Sequence, residues 1–339
     1  MRTAPEVITL EDLGIVRVRG VDAVRFLQGQ LSNDVARLSA EHSILAGYHN
    51  PQGRTIALLR LAQWDADPAT PGDILAVVPR ELAGVVASRL GKFVLRAKVK
   101  VADESAAWRV AGLVDGEPVA VARGTAGAGS AAGAGGAAGA AGAAGIGGAG
   151  GPALRELPSS VSTQTRGDGV VFVRVGDEPA RWLVISPADA PDPMSGDAVG
   201  DRQTWLRLDI AAGQPQVYAA TSEEFVAQML NLDVLNAIAF DKGCYTGQEV
   251  IARAHYRGRV KRRMQRFVSR DACHLSPGDS GQLADGRTFK VVLAMQLADG
   301  RCEFLAVAPL VGAGHDEAAV TATATIVADQ VSLPYSLPD

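Results

Sequence analysis

The 339-residue chain is poor in cysteine and carries no marked excess of either charge. Its three cysteines, Cys244, Cys273 and Cys302, lie far apart with no C-x-x-C pair. That spacing argues against a disulfide framework and against a self-contained zinc or iron–sulfur site. Separate, reduced thiols suit a cytosol. The five histidines (His42, His49, His255, His274 and His315) form no H-E-x-x-H pattern, so no metal site is expected. There is no P-loop and no G-x-S-x-G nucleophile elbow. No run of about 18 apolar residues could span a membrane, and Met1–Glu6 lacks an apolar signal core. A net charge of −4 makes the whole chain no obvious polyanion binder. These absences predict a soluble, cytoplasmic protein without membrane contact. A hydrophobic content of 47% permits sizeable cores, and the length allows two or three modules.

Residues 124–151 are almost entirely Gly and Ala, with only Thr125, Ser130 and Ile146 as exceptions, and carry 13 of the 38 glycines. Collagen would need abundant proline. A helix would lose about 1 kcal/mol at each interior Gly relative to Ala. The segment cannot bury enough apolar surface to offset its ordering entropy, so a flexible insertion is expected.

Before the insertion the pattern predicts strands at Ile15–Arg19, Thr55–Leu61, Ile74–Val78, Val94–Val101 and Trp108–Val114. Asp22 is a plausible N-cap for a helix through Leu31, and Arg80–Lys92 places Leu82, Val85, Val86, Arg89 and Leu90 on one face, an amphipathic helix with one polar exception. After the insertion, Val170–Val175, Trp182–Ile185 and Trp205–Ile210 read as strands, and Thr221–Glu224 as a capping box. From Val260 onward, short strands (260–268, 281–283, 290–297, 303–307 and 320–326) alternate with the turns Pro277-Gly278-Asp279 and Asp285-Gly286, as in a small barrel. The fold class is α+β. The expected units are 1–123, the insertion 124–151, a second α+β module 152–258 and a β-barrel 259–339.

The most informative segment is Lys242-Gly243-Cys244-Tyr245-Thr246-Gly247-Gln248-Glu249. Thr246 and Glu249 read as a capping box opening a helix, which places Cys244 just before a helix N-terminus beside Lys242. Both neighbours would favour a thiolate. A buried structural cysteine is the alternative.

This segment, with the preceding Asn236–Asp241, resembles the signature of the YgfZ-type folate-binding proteins, relatives of the glycine-cleavage T-protein. The blocks Gly20–Ala23, Phe26–Val35, Gly47–Arg54, Leu95–Val99 and Asp209–Pro215 are similar to the family's and follow in its order. The resemblance implies two interleaved α+β modules and a C-terminal β-barrel around a central opening that holds a reduced folate such as tetrahydrofolate. It also implies an accessory role in iron–sulfur cluster assembly or repair, with iron–sulfur enzymes or assembly proteins as partners and an indirect effect on tRNA modification. Cys244 and Lys242 would be the working groups. Asn33 and Asp34 could bond a pterin edge or simply form a turn. Arg54 could meet a glutamate tail or face solvent, and Tyr48 and Tyr245 could stack on a heterocycle or edge a core. Gln248 and Glu249 join the candidate folate-binding set through the motif.

Two departures from the T-protein pattern bear on activity. No carboxylate lies in Thr55–Leu59, and Ala211 stands where T-proteins carry a glutamate. Asp209 could substitute in part if both lay on one strand face. Proton transfer to a folate nitrogen needs a placed acid or base, so aminomethyl or one-carbon transfer is the second reading. The third is RNA binding, with possible tRNA contact, through the basic run Arg253, Arg257, Arg259, Lys261, Arg262, Arg263 and Arg266. That run could equally be a solvated face or meet a polyglutamyl tail.

Overall fold

A computed structural model describes residues 6–64, 72–114, 157–167, 169–193, 198–258, 260–311 and 325–338. The glycine–alanine insertion lies outside the described residues, as does most of the strand expected at 320–326. The first half runs β1 (Glu6–Thr9), β2 (Leu13–Arg19), α1 (Ala23–Gln28), β3 (Ile44–His49), β4 (Thr55–Gln63), β5 (Asp73–Pro79), α2 (Arg80–Gly91), β6 (Lys100–Asp103) and β7 (Trp108–Val114). The second half adds β8 (Gln164–Gly167), β9 (Val170–Asp177), β10 (Ala180–Pro187), β11 (Ala198–Val199), α3 (Arg202–Ala211) and α4 (Gln248–Tyr256). The last strands are β12 (Arg262–Ser269), β13 (Ser280–Gln282), β14 (Thr288–Gln296), β15 (Cys302–Pro309) and β16 (Ala328–Val331).

These strands form three sheets, ordered β3-β4-β5-β2-β6, β11-β1-β7-β10-β9-β8 and β13-β14-β15-β12-β16. The second sheet interleaves the halves, because β1 and β7 pair with strands beyond residue 164. The third curls: Gln282 at one edge bridges Thr325, which leads directly into β16 at the other edge. The Pro277–Asp279 and Asp285–Gly286 turns place Gly278 and Gly286 at positive φ, as tight turns require. The α+β class with a C-terminal barrel is the observed one.

Alternating apolar strands explain the cores. Ile56, Leu58 and Leu59 of β4 join Val16, Val18 and Ala76 in a first cluster, which α2 covers through Leu82, Ala83, Val86 and Leu90. Phe267, Phe289 and Phe304 fill the barrel.

Five local expectations are corrected. Trp205–Ile210 is the centre of α3, not a strand. Six residues of alternating apolarity fit both periods, but Asp201 two residues upstream of Gln203 caps a helix, accepting from the Gln203 amide at 3.1 Å. α1 ends at Gln28 rather than Leu31, and the Asp22 side chain accepts from the Lys98 amide instead of capping. That bond holds Leu95–Val99 in turns, so of the expected 94–101 strand only Lys100 and Val101 pair with β2, in a strand that runs on to Asp103. Thr221–Glu224 opens no α-helix. Its backbone runs beside β4, where Glu223 donates to the Thr55 carbonyl and the Thr55 amide donates to Phe225. Thr246 caps nothing, because the N-cap of α4 is Gly247 in the left-handed region, with no side-chain bond.

Candidate functional site

Three elements hold the Lys242–Glu249 segment. The Lys242 ammonium donates to the carbonyls of Gln28, Leu31 and Asn33, each at 2.7 Å. An ammonium has three donors, so all of them close the end of α1 and the turn after it. Burial pushes the Lys242 amine down to about 8, while the nearby Asp34 carboxylate pulls it up. Tyr245 is buried against the Lys242 ammonium (5.2 Å to its ring) and 6.5 Å from the His49 ring. Burial raises its phenol to about 12. Gly247 sits at φ +83, where an added Cβ would lie 2.5 Å from the Asn50 carbonyl oxygen. Its neighbour Gly53, at φ +72, would meet Val250 at 2.9 Å. Two glycines therefore let the Asn50–Arg54 turn close on the start of α4.

Cys244 lies between these anchors and is exposed, whereas Cys273 is half-buried and Cys302 is buried. Burial raises the Cys302 thiol to about 11, with Cys273 adding to the rise. Gly243 has nothing within 4 Å of a would-be Cβ, so the segment stands clear of the rest of the chain there. Among the described residues, no group of three His, Cys, Asp or Glu could hold a metal ion.

The other candidates divide. The Asn33 amide donates to the carbonyls of Leu45 (2.8 Å) and Asn236 (2.7 Å), tying the motif's approach to β3. Asp34 accepts from Gln28 (2.8 Å) and from the Ala36 amide (3.2 Å). Both lie beside Lys242. Tyr48 is 2% exposed and belongs to the first core, its phenol raised by burial. Arg54 is exposed and donates to the Glu224 carbonyl at 2.5 Å. Gln248 donates its amide to the Tyr245 carbonyl, and Glu249 is exposed in the first turn of α4.

Asp209 lies elsewhere. It lines a cavity of about 80 Å³ between the first two sheets, with Arg60, Trp205, Gln214 and Gln216. Its carboxylate pairs with Arg181 at 2.5 Å, and Arg181 is 2% exposed. On a helix, Asp209 and Ala211 cannot share a face, which removes the strand-face substitution. Arg60 donates to Ser162 at 3.3 Å, and burial lowers its guanidinium to about 10. One Arg181 terminal nitrogen (Nη2) has no partner. Two guanidiniums thus face one carboxylate in a buried place, which fits an anionic ligand. The volume is well below the roughly 300–1,000 Å³ of small-molecule pockets, so a whole folate would require the sheets to part. Sequence reasoning missed Arg60 and Arg181. The available signal was a lone arginine inside an otherwise apolar strand.

The basic run disperses on folding. Arg263 is buried with Asp233 at 2.8 Å, and Arg266 pairs with Glu303 in the barrel. Arg253 on α4 and Arg257 just after it remain exposed, while Arg259 lies outside the described residues.

No family model matches the chain. The chain is 31% identical over 307 residues to the tRNA-modifying protein YgfZ of Pectobacterium carotovorum, covering 88% of this chain and 81% of that protein. It is 30% identical over 303 residues to the protein of the same name from Yersinia pestis, covering 86% and 81%. The chain belongs to the YgfZ family. The glycine cleavage system aminomethyltransferase T of Bartonella henselae superposes with a TM-score of 0.65 at 14% identity, covering 91% of this chain and 80% of that one. At that identity the likeness shows the fold alone. It agrees with the interleaved sheets and C-terminal barrel expected of YgfZ relatives. No helix among the described residues is long and apolar enough to cross a membrane.

Proposed function

We propose that this member of the YgfZ family is a folate-binding accessory protein for iron–sulfur cluster assembly or repair, acting on tRNA modification indirectly. Its working group would be the Cys244 thiol. The observation that carries the reading is the mounting of that thiol: exposed, between an ammonium with every donor engaged and a glycine pair with no spare room. A cysteine kept for packing would be buried, as Cys302 is. The relatives' name, tRNA-modifying protein, supports the tRNA link. Tetrahydrofolate would be the ligand, with the Arg60–Arg181–Asp209 cavity supplying the anion-binding part of its site. The cavity holds no uncommitted carboxylate, since Asp209 is paired with Arg181. That weighs against aminomethyl transfer, which needs a free acid or base. Dispersal of the basic run weighs against an RNA-binding module built on residues 253–266.

The test combines alkylation with titration. Iodoacetamide should label Cys244 before Cys273 and Cys302, and Cys244→Ala should abolish cellular activity with an unchanged melting temperature. Calorimetry should show one saturable tetrahydrofolate site that Arg181→Met weakens at least tenfold. Faster labelling of Cys273, or full activity of Cys244→Ala, would overturn the thiol assignment. Robust aminomethyl transfer would overturn the accessory role.

A further inference from the structure

Leu95 is an exposed apolar side chain outside the motif, 86% exposed, next to Phe93 at 49%. Both lie on the connection between α2 and β6, Lys92–Val99. Val21, 65% exposed, precedes α1 by one residue and Asp22. The Asp22 carboxylate accepts from the Lys98 amide at 2.7 Å, which ties the start of α1 to this connection. Gly20, at φ +132, would place a Cβ 2.0 Å from the Lys98 carbonyl oxygen, so the two segments touch backbone to backbone.

The connection is pinned and not loose. Val94, Ala97 and Val99 turn inward and pack on the first core. Phe93 and Val94 donate back to the last carbonyls of α2. The outward residues are therefore held outward: Lys92, Phe93, Leu95, Arg96, Lys98 and Lys100. None of these four cations makes an ion pair with a described residue. The nearby carboxylates are committed, Asp103 to Ser105 and Glu104 to Arg17 and Arg19. A chain of net charge −4 thus presents, beside three exposed apolar side chains, four cations with no ion pair to a described residue. Apolar anchors ringed by one sign of charge mark a docking surface.

The surface is also coupled to the motif. α1 is six residues long, about 9 Å at 1.5 Å per residue. Asp22 at its start holds Lys98, and the carbonyls at its end hold Lys242. One short helix therefore links the basic–apolar connection to the segment that carries Cys244.

We propose that Val21, Phe93 and Leu95, ringed by Lys92, Arg96, Lys98 and Lys100, form the docking surface for the protein that the Cys244 thiol serves, and that this client offers an apolar pocket with an acidic rim. The inference rests on the accessory reading above. Of the three anchors only Phe93 is aromatic, and the aliphatic Leu95 and Val21 give successive bases nothing to stack on, so a protein fits better than single-stranded RNA.

The test uses the full chain. Leu95→Glu and the double variant Arg96→Glu/Lys98→Glu should each lower complementation of a strain lacking the gene by at least tenfold. They should leave the melting temperature, the Cys244 alkylation rate and tetrahydrofolate affinity within twofold of the parent. A photo-cross-linker at Leu95 should capture an iron–sulfur enzyme or assembly protein. The purified captured protein should then bind in a salt-sensitive way that Leu95→Glu abolishes. Full complementation by both variants, while Cys244→Ala fails, would overturn the docking surface and leave the thiol reading standing. Full complementation by Cys244→Ala would overturn that reading itself. Binding to vesicles containing phosphatidylserine, or to tRNA, that Leu95→Glu abolishes would reassign the surface and overturn the proposal.

Discussion

His49 should make the site region acid-labile by a calculable amount. Its ring is 1% exposed, and neither ring nitrogen has a partner. Burial lowers its pKa from 6.5 to about 3, so the folded protein holds a neutral imidazole. The folded value lies below the unfolded one. The contribution to stability is therefore complete above pH 6.5 and is lost as pH falls toward 3. The loss should be about 1.4 kcal/mol near pH 5.5 and about 2.7 kcal/mol near pH 4.5, approaching roughly 5 kcal/mol at the lower limit. The control is His49→Leu, similar in volume and without a titrating group. Removing two unpartnered nitrogens should leave neutral-pH stability unchanged or improved. Urea unfolding of both proteins near pH 7.5, 5.5 and 4.5 gives the difference directly, since other carboxylates and histidines are common to both. A parent–variant difference that moves by less than about 0.5 kcal/mol between the first and last pH would refute the reasoning, because only an imidazole solvated in the folded state titrates alike in both states.

Two further outcomes follow from named contacts. Gly247→Ala should destabilise by about 2–4 kcal/mol, from the left-handed backbone and the Asn50 carbonyl 2.5 Å from the new Cβ, whereas Gly243→Ala, with open space around it, should stay within about 0.5 kcal/mol in denaturant unfolding. Arg263→Met should cost about 3–5 kcal/mol by leaving the buried Asp233 carboxylate unpaired, and Asp233→Asn with Arg263→Met should recover part of that loss in a double-mutant cycle.

What the sequence made legible follows from how local each signal was. The apolar strands β2, β4 and β5, the amphipathic α2 and the glycine turns of the barrel declare themselves within about ten residues, and they stand where expected. α3 did not, because Trp205, Leu206, Leu208 and Ile210 satisfy a two-residue and a 3.6-residue period alike over so short a span, and the deciding cap at Asp201 lay outside it. Asn33 was legible as a turn residue or a ligand group. Its choice depends on the carbonyls of Leu45 and Asn236, the latter 203 residues away in sequence, so no local reading could supply it. Arg263 read as part of a polyanion-binding stripe because charge is visible in sequence and its partner Asp233 is not.

The motif itself changes meaning once each residue's surroundings are known. In sequence, Lys242 looks like a charge placed to activate its neighbour's thiol. In the fold, its three donors close the end of α1, so its contribution to Cys244 is first one of position. Tyr245 looks like a stacking platform, yet it is buried and packs beneath the loop. Gly247 is a point of close backbone approach, 2.5 Å from the Asn50 carbonyl oxygen to a would-be Cβ. Between the anchors Lys242 and Tyr245 only Gly243 and Cys244 remain, and both stand exposed. Holding a short loop this firmly orders every residue in it, at about 1–2 kcal/mol of backbone entropy each. An ordered loop whose two free residues are a thiol and the smallest possible neighbour is what another molecule approaching that thiol requires. The reading of Cys244 as a group presented to a partner therefore rests on how little else the loop is arranged to do.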